Sequence, residues 1–180
     1  PRVARYIRNK DEMQAKEFMS KAFWFLTFLL TASTIGGIVL SREITWLLFE
    51  RGAFNATDTA NTTAVLQMYM LGLLPFGLQK LFVLWLYAKE MQGKAAKIAT
   101  YSLGTYIIIA LFLISPMGVS GLALASTTGG FVSFFLTIRV FGWTNFKDIL
   151  YSKKLLYLSV GAVVLTLLLL MFKEFLAFYI

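Results

Sequence analysis

Five long apolar runs alternate with short polar segments along these 180 residues, at about 22–40, 64–88, 98–114, 119–140 and 155–172. A hydrocarbon core about 30 Å thick is crossed by roughly 20 apolar residues in a helix, so each run is close to a spanning length. The chain is 58% hydrophobic and 14% charged, against roughly 45–50% and about 25% in an average soluble domain. The expected fold is therefore all-α, a polytopic transmembrane helix bundle with the bilayer as its solvent.

The charges give the bundle a direction. Residues 1–21, 89–97 and 139–154 hold six, three and four Lys/Arg, thirteen of the seventeen in the chain, and five alternating crossings put all three segments on one side. Basic loops stay cytoplasmic, so the chain is expected to start inside and to place Arg42, Arg51, Asp58 and Lys173 outside. The net charge of +8 is divided among these loops. It suits membrane lipids with anionic headgroups better than nucleic acid, which calls for one continuous basic patch with stacking aromatics.

The expected organisation is a basic juxtamembrane segment (1–21), four transmembrane helices (22–140), a cytoplasmic loop (141–154), and a further helix with the start of another (155–180). Trp46 and its apolar neighbours extend the first span to an interface, where Glu50 and Arg51 stop it. Asp58 and Thr59 are placed to start the second span. Pro75 predicts a kink in that span, and Ser115–Pro116–Met117–Gly118 a tight turn between the third and fourth. The Pro1 start and the apolar run at 175–180 read as those of a fragment.

With no Cys and no His, disulfides, CxxC zinc sites, His-ligated haem and Ser-His or Cys-His nucleophiles are excluded. No enzyme activity, cofactor or metal is expected. Attention falls instead on polar residues within spans. Lys80 costs roughly 2.5–3.5 kcal/mol near a helix centre on insertion scales. It shares one helical stripe with Tyr69, Phe76 and Tyr87, with Gln79 adjacent. Two readings stand: a wet cavity flanked by phenols, or a lysine snorkelling over about 12 Å to the interface beyond Ala88. Ser102 and Tyr106 stack one turn apart and are candidates to line the same cavity; belt residues near an interface are the alternative. Gly121, Ala125 and Gly129 form a small-residue face for helix packing, with Ser126, Thr127 and Thr128 as a weaker hydroxyl cluster. Beyond the first span, Glu50, Arg51, Gly52 and Phe54 read either as a helix stop at Gly52 or as a site where Arg51 meets an anionic group.

LLFERGAFNATDTANTT, followed by LQMYMLGLLPFGLQKLFVLWLYAKEMQGKAAKIA, resembles the MurJ (MviN-type) lipid II flippases. That family carries an LFxRGxF segment, a D-T pair, and a span of the form YxLGLxxFxxxKxxxxxFYA before a short basic loop. The matching residues are Leu48, Phe49, Arg51, Gly52, Phe54, Asp58, Thr59, Tyr69, Leu71, Gly72, Leu73, Phe76, Lys80, Tyr87 and Ala88. PMGVSGLALAS, residues 116–126, resembles the family's next turn and helix, and the likeness runs through about Val140.

The resemblance implies the C-terminal part of a fourteen-helix, two-lobe exporter of the multidrug/oligosaccharidyl-lipid/polysaccharide superfamily, in a bacterial inner membrane. The implied activity is alternating-access movement of undecaprenyl-diphosphate-linked peptidoglycan precursor to the outer leaflet. The implied partners are that lipid-linked anionic substrate, membrane lipids and an N-terminal lobe of the same protein, without which the fragment is inactive. Cationic cavity residues such as Lys80 would hold the diphosphate. One departure concerns Tyr106 and Ala110, where some members place an Asn and an Asp as part of a sodium site; Tyr and Ala do not replace two such oxygen ligands. Alternative functions are export of another lipid or drug by the same architecture, or a non-transport membrane scaffold.

Overall fold

The computed structural model describes residues 12–151 and 153–179, so residues 1–11 of the expected juxtamembrane segment lie outside the described residues. Among the described residues six helices follow in order: α1 (Glu12–Val39), α2 (Ser41–Phe49), α3 (Ala56–Ala88), α4 (Gln92–Phe141), α5 (Trp143–Leu150) and α6 (Lys154–Tyr179). Among the described residues there is no strand. α1, α3, α4 and α6 are long and apolar enough to cross a membrane.

At 50 residues α4 would be about 75 Å long if straight, more than twice the hydrocarbon thickness. It is broken at Gly118, whose φ of 57° and ψ of −133° are open in practice only to glycine. The Ser115–Gly118 turn read from the sequence thus divides α4 into two arms, and five apolar segments of spanning length result. The arms run antiparallel. The Ser102 hydroxyl donates to the Gly129 carbonyl at 2.6 Å, and Gly121 lies against the Leu113 backbone.

The first span differs from expectation in being two helices. α1 stops at Val39, and the carbonyls freed by the break take side-chain donors: Ile38 O accepts from the Ser41 hydroxyl at 2.9 Å, and Val39 O from Lys173 Nζ of α6 at 3.2 Å. Lys173 also lies 3.3 Å from Glu43 Oε1. The helix break is therefore stabilised from across the bundle. A double-mutant cycle of Lys173→Met and Glu43→Gln, read from thermal unfolding of the full-length protein, is expected to show coupling of roughly 1 kcal/mol. Coupling indistinguishable from zero would remove this clamp from the account.

Two expected boundaries are corrected. Lys173 and Glu174 do not end the last span, and residues 175–179 do not open a new helix, because α6 continues unbroken to Tyr179. The charge of Lys173 is met by Glu43 and a carbonyl, so it need not terminate the helix. Nor is 141–154 merely a loop. Gly142 (φ 106°) ends α4, and Trp143–Leu150 then forms α5, which buries Phe146 and Ile149 and exposes Lys147 and Asp148.

α5 seals the basic end of the bundle. Phe82 of α3 is fully buried there, with ring centroids of Phe23, Phe141 and Phe146 at 6.1, 5.0 and 5.8 Å. The Trp24 indole N–H donates to the Ile149 carbonyl at 3.1 Å, fastening α5 to α1. Towards the other end, large rings give way to small residues. Gly77 meets Leu30, Gly37 meets Met70, and Gly130 receives the Phe76 ring. Lipid tails are as apolar as leucine, so close backbone approach and interhelical hydrogen bonds, such as Thr127 Oγ1 to Met68 O at 2.6 Å, supply the cohesion.

Candidate functional site

α3 is the longest continuous helix without a break, and its two sides differ. Leu78, Leu81, Phe82 and Leu86 are buried against α1 and α4, whereas Tyr69, Lys80 and Tyr87 are exposed. A repeat of 11 and then 7 residues returns nearly to the same angular position on a 3.6-residue helix, so the three fall along one open stripe. Phe76 lies on its edge, half-buried against Gly130. Among the described residues, Lys80 has neither an ion pair nor a hydrogen bond. The helix runs through Pro75 without interruption.

Gln79, one residue away, is rotated by about 100° and turns into a different space. A groove of about 250 Å³ lies between α3 and the two arms of α4. Phe76 and Gln79 form one wall, Ser102 and Tyr106 of the first arm the other, and Ser126, Gly129, Gly130 and Ser133 of the second arm the floor. The Gln79 amide donates to the Ser133 hydroxyl. The structure brings Gln79, Tyr106 and Ser126 together in this groove, but the one cavity expected to join Ser102 and Tyr106 to Lys80 is not formed here, because Lys80 is not among the residues lining it. Ser133 was missed, although it lies seven residues after Ser126 on the same helical face. Thr127 and Thr128 do not join Ser126: each is spent on a backbone carbonyl, of Met68 and Ala125 respectively. Ala110, one turn beyond Tyr106, is buried.

The segment at the opposite end is built largely by capping. Gly52 adopts a left-handed φ of 62° after α2. Asn55, and not Asp58, caps α3: its side-chain oxygen accepts from the Thr57 and Asp58 amides at 2.8 and 3.2 Å, and the Asn55 amide N–H in turn donates to the Asp58 carboxylate at 3.0 Å. This reciprocal box satisfies the helix's first free donors. The Asn-x-x-Asp spacing was visible in the sequence. Glu50 is also engaged, accepting from the buried Thr59 hydroxyl. Arg51 is exposed, with one guanidinium nitrogen on Leu48 O at 2.8 Å, and it lines an open recess with Phe54 and Asp58. The Phe54 ring rests 6.0 Å from that of Phe49. Of the five residues singled out here, Gly52, Glu50 and Asp58 shape the turn, and Arg51 and Phe54 present chemistry at its surface.

No group of three or more His, Cys, Asp or Glu side chains converges among the described residues. The groove presents hydroxyls and an amide, and the open stripe presents one ammonium and two phenols.

Comparison with known proteins agrees with this architecture. Two Helicobacter pylori proteins named "Probable lipid II flippase MurJ" are 47% identical over 175 residues, 97% of this chain and 38% of each relative. A Rhizobium meliloti protein of the same name is 28% identical over 180 residues, 34% of its length. A solved structure titled "Lipid II flippase MurJ, inward closed conformation" superposes with a TM-score of 0.69 at 23% identity, covering 97% of this chain and 41% of that one. The chain thus spans between about a third and two fifths of the length of these proteins. A family profile described as "Lipid II flippase MurJ" matches residues 1–180, and the chain, a multi-pass helical membrane unit, belongs to that family.

Proposed function

We propose that this chain is the C-terminal part of a flippase that carries undecaprenyl-diphosphate-linked peptidoglycan precursor across a bacterial inner membrane by alternating access. The observation that carries the reading is the open stripe of α3, where Lys80, the single charged residue of the apolar run 64–88, stands exposed between Tyr69 and Tyr87. An ammonium at such depth is retained where it meets an anion or water, and a diphosphate is an anion of suitable charge. The phenols add donors beside it.

The chain supplies one wall of such a pathway. Its relatives are more than twice as long, and the remaining part of the protein supplies the facing wall. The tight turn at Gly118 and the aromatic seal around Phe82 make the wall a stiff unit, as rocking of one lobe against another requires. No step in this reading breaks or forms a covalent bond, so the activity is transport and not catalysis. Arg51, outside on the charge-derived orientation, is placed to meet an anionic group as it leaves.

The test is complementation. The full-length protein is expected to restore growth and lipid II translocation in cells depleted of their own flippase. Failure there, with rescue of cells lacking an O-antigen or other polysaccharide exporter, would assign a different lipid-linked substrate.

A further inference from the structure

Among the described residues two short helices stand at opposite ends of the bundle, and they are held in different ways. α5 buries Phe146 and Ile149 beside the Phe82 ring and is fastened by the Trp24 indole. α2 buries only two hydroxyl residues, Ser41 and Thr45; Ile44 is half-buried, and Trp46, Leu47, Leu48 and Phe49 are all exposed. We propose that α2 is a movable strap, hinged at Leu40, which leaves the position seen here in every transport cycle. The proposal rests on the transport reading for its consequence, though not for the mobility of α2 itself.

Polar contacts hold the strap down. Gln67 of α3 donates its amide to the Ser41 hydroxyl at 2.9 Å, Thr59 of α3 donates to Glu50 at the strap's far end, and Lys173 of α6 lies 3.3 Å from Glu43. Thr45 turns its hydroxyl back to Ser41 O of its own helix, at 2.8 Å. Hydrogen bonds between helices in a membrane are individually weak, because a group that loses one partner finds another. Here spare partners are at hand. Thr59, Thr63 and Gln67 follow at four-residue intervals and form one ridge of α3. The first and third are bonded to the strap and its end. The hydroxyl of the middle one is buried with no partner among the described residues, as is the second carboxylate oxygen of Glu43. An interface with more polar groups than bonds can re-pair as it slides, whereas the interlocked rings around Phe82 offer no such exchange.

Both ends of α2 permit the motion. Leu40 alone separates it from α1, at φ −98° and ψ 12°, and Gly36 and Gly37 stand about one turn earlier. Helices bend most readily at pairs of such small residues. At the other end residues 50–55 join α2 to α3, a length that reaches about 20 Å when extended. A swing of α2 therefore breaks a few exchangeable contacts and leaves the wall of α1, α3, α4 and α5 as it is.

The 180 residues contain no Cys, so the experiment uses paired cysteines in the full-length protein, with any cysteine elsewhere changed to Ser. Glu43→Cys with Lys173→Cys joins α2 to α6 when bridged by a bis-methanethiosulfonate reagent, which dithiothreitol removes. Unbridged, this variant is expected to translocate lipid II at the wild-type rate or faster. Bridging is expected to slow it at least tenfold, and reduction to restore it. Leu30→Cys with Gly77→Cys joins α1 to α3 within the stiff wall, where bridging should change the rate less than twofold. Undiminished translocation by the bridged strap would overturn the proposal, as would equal loss in both pairs, since the whole wall would then flex. If the first pair does not fold or is inactive unbridged, Ser41→Cys with Gln67→Cys takes its place under the same criteria. Hydrogen exchange of the wild-type protein supplies a readout independent of transport. The α2 amides are expected to exchange at least tenfold faster than those of α5, and equal protection would refute the strap. If wild type does not translocate lipid II, the transport reading falls, and exchange alone decides whether α2 moves.

Discussion

Lys80→Ala in the full-length protein is expected to lower lipid II translocation by about one to two orders of magnitude, the equivalent of a lost charge-assisted hydrogen bond, while leaving the amount of folded protein in the membrane unchanged or higher. The two directions are opposite for a physical reason. An ammonium near a helix centre costs roughly 2.5–3.5 kcal/mol on insertion scales, and the structure shows no partner for Lys80 among the described residues to offset it. Removing it therefore relieves insertion while deleting the group that meets the anion. Lys80→Arg keeps the charge and should retain most activity. A snorkelling lysine predicts something else, wild-type translocation in Lys80→Ala, and that result would withdraw Lys80 from the pathway. The measurements are translocation in flippase-depleted cells and protein abundance in the same membranes.

Gly121→Val is expected to have the largest structural effect of any single glycine substitution in the chain, about 3 kcal/mol or more. A Cβ at Gly121 would fall within contact distance of the Leu113 carbonyl oxygen, which belongs to the backbone of the facing arm. A backbone cannot rotate away as a side chain can, so the hairpin of α4 would have to splay just beyond its turn. Gly77 provides the contrast. There the added carbon meets only the Leu30 side-chain tip, and Gly77→Ala is expected to cost about 1 kcal/mol after rotamer adjustment. At Gly104 the added carbon meets nothing, and Gly104→Ala should be neutral or slightly stabilising through helix propensity. Thermal unfolding of the detergent-solubilised full-length protein ranks the three. If Gly121→Val unfolds no earlier than Gly77→Ala, the close antiparallel packing of the two arms is wrong.

The groove and the stripe show why the candidate site was only partly legible. Helical spacing put Tyr69, Lys80 and Tyr87 on one line, and the structure keeps them on one exposed face. Spacing within one helix does not say which neighbour each face receives. Gln79 and Lys80 differ by one residue, yet Gln79 meets Ser133, which is 54 residues away along the chain. Tyr106 and Ser126 come together only because the turn at Gly118 folds the two arms of α4 on each other. The outer segment was misread in the same way. Asp58 was the evident helix starter by type, but the capping geometry gave that place to Asn55 and made Asp58 its reciprocal partner.

The sequence alone determined the spanning segments, their order, the turn at Gly118 and the side on which basic loops collect. These depend on hydropathy summed over a run, on the conformational freedom of one glycine, and on charge near each run's ends, all local quantities. Only the tertiary structure decided where the first span breaks, because the carbonyls freed there are satisfied in part by Lys173 from the last helix. It also decided that Lys173 lies within a helix instead of ending one, and that residues 143–150 fold into a helix fastened by Trp24. Each of these rests on a polar group meeting a partner over 120 residues away. In a membrane the cost of leaving such a group unpaired is large enough to override what the local sequence prefers.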